Sequence, residues 1–101
     1  MTRWGLLAAA VLVVASCSGS STEEVTGVVI DVTGDITTVD RFLLQSTEGD
    51  RLEFVVAPGV VFGDGAPIGH VSEHLQTGLP VEIVYEVLDD GTLVVRSIDD
   101  A

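Results

Sequence analysis

The sequence predicts a mainly β domain of five short strands and one short helix. Three observations carry that prediction. Apolar, often β-branched residues alternate with polar ones in short runs, Gly, Asp and Pro punctuate those runs, and one segment replaces the alternation with helical spacing. At 101 residues, 47% of them apolar, the chain allows one small domain and excludes a multidomain machine.

The first strand is read from Val28, Ile30 and Val32, which alternate with Val29 and Asp31 and run out at Gly34-Asp35. Phe42-Leu43-Leu44-Gln45 forms the second. Glu48-Gly49-Asp50 then turns the chain into a third, where Leu52, Phe54 and Val56 take one face and Glu53 the other, the pattern of a half-buried antiparallel strand. Pro58-Gly59 interrupts it before Val60-Val61-Phe62. In the fourth strand Val81, Ile83, Tyr85 and Val87 alternate with Glu82, Val84 and Glu86, and Asp89-Asp90-Gly91-Thr92 turns into the fifth, Leu93 to Ile98. Between the third and fourth strands, Val71 to Gly78 lacks the alternation, places Val71 and Leu75 four apart and ends in a glycine suited to a helix C′ position. That segment is the short helix. The order β-β-β-α-β-β resembles an OB-fold, a five-stranded Greek-key barrel whose helix plugs one end. A small β-sandwich or an SH3-like barrel competes with it, because order alone does not fix how the strands close.

Residues 1–16 form a separate unit. A positive start at Arg3 is followed by an apolar run from Gly5 to Ala15 and then by small residues, the architecture of an export signal. The run is about half the roughly 20 residues that a membrane-spanning helix needs, so it cannot be a permanent span. Its end, Val14-Ala15-Ser16-Cys17, resembles the lipobox of bacterial lipoproteins, and Cys17 is the single cysteine of the chain. The resemblance implies that the Cys17 thiol carries a diacylglyceryl group and that the signal is cut just before it. Two acyl chains give durable anchoring, so the protein would be lipid-anchored to the cell membrane, outside the cytoplasm. Residues 17–23 would then be the lipidated cysteine and a flexible tether, small and polar in composition, and residues 24–101 the barrel domain.

Gly27-Val28-Val29, Phe42-Leu43-Leu44, Leu75 to Gly78 before Val81-Glu82-Ile83, and Asp90-Gly91-Thr92-Leu93 before the closing strand also look familiar. The pattern is similar to the small OB-like domains of a domain-of-unknown-function family of exported bacterial proteins. That resemblance implies a fold and a compartment, and it brings no catalytic residues.

Charge narrows the function. Sixteen acidic residues against four basic ones give a net charge of −12, and there is no lysine. Nucleic-acid binding therefore lacks its main source of affinity, and anionic headgroups repel the domain, which should stand off the bilayer. One cysteine leaves no intramolecular disulfide and no cysteine-rich zinc site. His70-Val71-Ser72-Glu73-His74 spells H-x-x-E-H, the signature of the inverzincin metallopeptidases. Those enzymes set the motif in a long helix and add a distant carboxylate ligand, whereas the helix here is barely two turns. The sequence therefore favours solvated helix-end histidines, with a metal site on His70 and His74, Glu73 or Asp64 assisting, as the alternative. Acidic pairs at Glu23-Glu24, Asp89-Asp90 and Asp99-Asp100 read as turns and solubility. Alternation puts Phe54 and Tyr85 inside, against a stacking platform for bases or sugars. Arg41, Arg51 and Arg96 read as surface partners of neighbouring carboxylates. The expectation is a non-catalytic binding or structural module without a cofactor, its partner an envelope protein or other envelope component. The alternative is a metal-binding protein or metal-dependent hydrolase built on the histidine motif.

Overall fold

The computed structural model describes residues 21–34 and 38–101. The segment expected to be an export signal, the lipobox-like residues with Cys17 and the expected turn residue Asp35 lie outside the described residues. The strands are β1 (Ser21–Gly34), β2 (Val39–Ser46), β3 (Arg51–Val56), β4 (Val81–Val87) and β5 (Leu93–Asp100), and a 3-10 turn (Ile68–His70) leads directly into helix α1 (Val71–Thr77) between β3 and β4.

They close into a barrel in the order β1-β2-β3-β5-β4, with β4 returning to β1. Every neighbouring pair is antiparallel except β3 with β5, which run parallel through Phe54↔Leu93, Val55↔Val94 and Val56↔Val95. That parallel seam separates an OB-like barrel from the sandwich and SH3-like alternatives. β1 begins at Ser21, three residues before the Glu24 suggested by composition, because Ser21, Thr22 and Glu23 pair with Val87, Glu86 and Tyr85 of β4. Four of its first residues are exposed, so no alternation in burial marks this stretch.

Two of the three register shifts in the barrel decide which side chains face inward. In β1, Val29 pairs with Leu44 and Asp31 with Leu43, which leaves Ile30 as an extra residue. An extra residue flips the face of everything beyond it. Gly27 and Val29, before the bulge, are the buried residues of this strand, and Val25 and Val32 pack beside the core. The expected alternation of Val28, Ile30 and Val32 on one face fails at that bulge. In β5, Tyr85 pairs with Val95 and Val84 with Ser97, so Arg96 is the extra residue. Val95 and Ile98, three apart, are both fully buried as a result.

The core gathers Phe42 and Leu44 from β2, Phe54 from β3, Ile83 and Tyr85 from β4 and the inward residues of β5. The Phe54 ring lies 5.5 Å from Phe42 and 5.0 Å from Tyr85, the latter edge-on, a geometry that suits the ring quadrupoles. Burial pushes the Tyr85 phenol above its ordinary pKa, and the Glu23 carboxylate beside it adds to that shift. The hairpin turns follow their residues. Gly49 and Gly91 take φ values of 99° and 90°, and Asp90 accepts from the Thr92 N–H at 2.9 Å. Hydrogen bonds from the Thr92 side chain and backbone hold the Asp90 carboxyl below the usual carboxylate range.

Candidate metal centre

The helix closes one end of the barrel, and its local sequence explains how. Pro67, in extended backbone, starts the 3-10 turn. Gly78 stops α1 in the left-handed conformation at φ 73°, its N–H bonded to the His74 carbonyl at 2.9 Å, as a helix C-cap glycine does. Val71 and His74, three apart, are the buried residues of α1, while Leu75 is 38% exposed. The reading of both histidines as solvated is therefore corrected: His74 is only 5% exposed, and the His70 side chain is three-quarters buried.

Beneath the two imidazoles lies Phe62, itself buried by a tight loop. Its N–H bonds to the Ala66 carbonyl at 2.9 Å, and it bridges to Ile98 of β5. The His74 ring stacks on it at 5.7 Å with 9° between planes, and the His70 ring meets it edge-on at 4.7 Å. All four aromatics of the described domain, Phe42, Phe54, Phe62 and Tyr85, are buried. None forms an exposed stacking surface.

The third member comes from the far end of the chain. Asp100 Oδ1 lies 2.7 Å from His74 Nε2 and 3.4 Å from His70 Nε2. The bulge at Arg96 places it there: beyond the extra residue, Asp100 shares a strand face with Ile98 at the barrel end. Asp99 faces the other way, against Gly63, where an added Cβ would meet its carboxylate. His70, His74 and Asp100 each offer one ligand atom, and those atoms all lie within 4.8 Å of one another.

The second nitrogen of each ring is already occupied. His70 Nδ1 lies 2.9 Å from Glu73 Oε1, and His74 Nδ1 donates to the Leu79 carbonyl at 2.8 Å. This is how metal-ligating histidines are oriented, with one nitrogen held by an acceptor so that the other presents its lone pair. Glu73, one of the residues suggested by the H-x-x-E-H spacing, therefore sits behind His70 and not beside the two Nε2 atoms. Asp64 is also elsewhere, bonded to the Ala66 N–H at 2.9 Å within its own loop. The three donors open onto a cleft of ≈ 230 Å³ walled further by Thr77, Leu79 and Pro80. Zinc to imidazole bonds of about 2.0–2.1 Å in a tetrahedral arrangement separate two donors by roughly 3.3 Å. The 3.4 Å pair fits that spacing, the 2.7 Å pair opens to it by a small swing of Asp100, whose side chain is 52% exposed, and the two imidazole nitrogens, within 4.8 Å of each other, would close on the ion.

Away from this end, Arg41 pairs with Glu53 at 3.6 Å across β2 and β3, and Arg96 pairs with Glu86 across β5 and β4. Arg51 lines an open groove with Arg41, Glu53 and Asp90.

Comparison with known proteins agrees on architecture. The structure of apo-CusF residues 6–88 from Escherichia coli superposes with a TM-score of 0.58 at 11% identity, covering 89% of this chain and 99% of that one. At that identity the likeness carries the fold alone. No family model matches the chain, and no curated protein matches it. Among the described residues no helix is long and apolar enough to cross a membrane.

Proposed function

We propose that this chain is an exported, lipid-anchored barrel that acts without catalysis and binds a divalent first-row transition-metal ion at His70 Nε2, His74 Nε2 and the Asp100 carboxylate. One observation carries the metal reading: two imidazoles and a carboxylate converge while the remaining nitrogen of each ring is held by its own acceptor. Imidazole and carboxylate donors suit zinc, iron, nickel or copper(II) and do not favour the soft monovalent metals that thiolates and thioethers select. The non-catalytic reading is supported by Glu73. In a metallopeptidase of the H-x-x-E-H type an acidic side chain has to serve the metal or its water, and here Glu73 is committed to His70 Nδ1.

Equilibrium dialysis of the chain against Zn²⁺ is expected to give one bound equivalent. Asp100→Asn should weaken binding by at least a hundredfold, and Glu73→Gln, which disturbs only the orientation of His70, by about tenfold. Binding indifferent to Asp100→Asn would overturn the reading. The anchor is tested separately on Cys17. Wild type should partition into a detergent phase and Cys17→Ser should remain in the aqueous phase, and equal partitioning would remove the lipid from the proposal.

A further inference from the structure

We infer that the metal bound at this site keeps one coordination position open to the cleft and fills it with a neutral aromatic nitrogen donor from another molecule, such as the imidazole of a histidine-bearing peptide. The inference rests on the metal reading above and goes beyond it by naming the second ligand.

Three other polar groups along the cleft are already engaged within the protein, and the chain-end residue Ala101 also lines it. Glu73 is bonded to His70 Nδ1, the Leu79 carbonyl accepts from His74 Nδ1, and the Thr77 hydroxyl accepts from the Leu79 N–H. Three side-chain donors converge among the described residues, one fewer than the four of a closed zinc site. The cleft has room for the fourth. Liquid water takes about 30 Å³ per molecule, so ≈ 230 Å³ accommodates a five-membered ring beside the ion. Leu79, 61% exposed, and Pro80 offer that ring apolar walls.

Charge selects the class of donor. A divalent ion is balanced by Asp100 and Glu73, and the rest of a chain of net charge −12 surrounds the site with negative potential, so an anion gains little there. A neutral ring nitrogen does not meet that repulsion. Coordination replaces bound water with the nitrogen lone pair, and no covalent bond to carbon is made or broken.

The test uses the full chain carrying Cys17→Ser, which removes the one thiol, loaded with Co²⁺ as a spectroscopic substitute for zinc. Imidazole is expected to shift and intensify the visible cobalt bands in a saturable way, at concentrations at least tenfold below those that azide requires. Cobalt bands unmoved by imidazole, whether Glu73 or the chain end closes the sphere, would overturn the inference and leave the metal reading standing. Azide binding as tightly as imidazole would also overturn it. Absence of cobalt binding would remove both.

Discussion

Replacing Gly27 with alanine is expected to cost about 3 kcal/mol or more of folding stability, a large share of the roughly 5–10 kcal/mol that holds a small domain. Gly27 is where the long first strand changes partners: it pairs with Val81 of β4 and with Ser46 of β2, so it belongs to both ladders. The barrel turns there, and the backbones approach so closely that an added Cβ would lie 2.3 Å from the Gln45 carbonyl oxygen and 2.8 Å from the Ser46 Cα. Both are backbone atoms inside a paired strand, so relief requires moving β2 itself. Gly49→Ala is the control. That glycine has a φ of 99° and nothing within 4 Å of the added carbon, so alanine there meets only the strain of a left-handed conformation, on the order of 1 kcal/mol. Urea or thermal melts should separate the two variants clearly. If they melt together, close strand contact at Gly27 is not what closes this barrel.

Much of the fold was legible in the sequence because its signals are local. The alternation in Val81 to Val87 matches a strand buried at Val81, Ile83 and Tyr85, and Gly78 ends the helix as its position suggested. The features that escaped depend on contacts between distant segments. The polar start of β1 is ordered by pairing with β4 and carries no buried face of its own. A bulge at Ile30 or Arg96 is one residue long, and no composition marks it, yet each changes which side chains point inward. Strict alternation from Val95 would turn Asp99 inward, whereas the bulge brings Asp100 to His74, 26 positions away in the chain. The two histidines could be found from their spacing. Their carboxylate partner could not, because a barrel closure and a bulge put it there.

The buried histidine yields the second large effect. In metal-free protein, His74→Gln is expected to destabilise the fold by about 2–3 kcal/mol and His70→Gln by under about 1 kcal/mol. Both ring nitrogens of His74 face acceptors, the Leu79 carbonyl at 2.8 Å and Asp100 Oδ1 at 2.7 Å. Closing both bonds takes a proton at each nitrogen, a proton shared with Asp100, or a cation in place of the Nε2 proton. A glutamine in that place cannot span both acceptors along the line of the imidazole, and losing the hydrogen bond to the Asp100 carboxylate costs about 1.5–3 kcal/mol. The lost stacking on Phe62 adds about 0.5–1.5 kcal/mol. The exposed edge of His70 can be rehydrated, so its replacement costs less. For a domain of this size each kcal/mol shifts the melting temperature by roughly 4–8 °C, so thermal melts in chelator should place His74→Gln about 8–24 °C below wild type and His70→Gln less than about 8 °C below it. Adding Zn²⁺ at a hundred times its Kd should then stabilise wild type by about 2.7 kcal/mol and neither variant. If His74→Gln melts with His70→Gln in chelator, His74 does not hold the barrel end. If both variants keep the full response to Zn²⁺, the ion binds elsewhere and the site loses its metal.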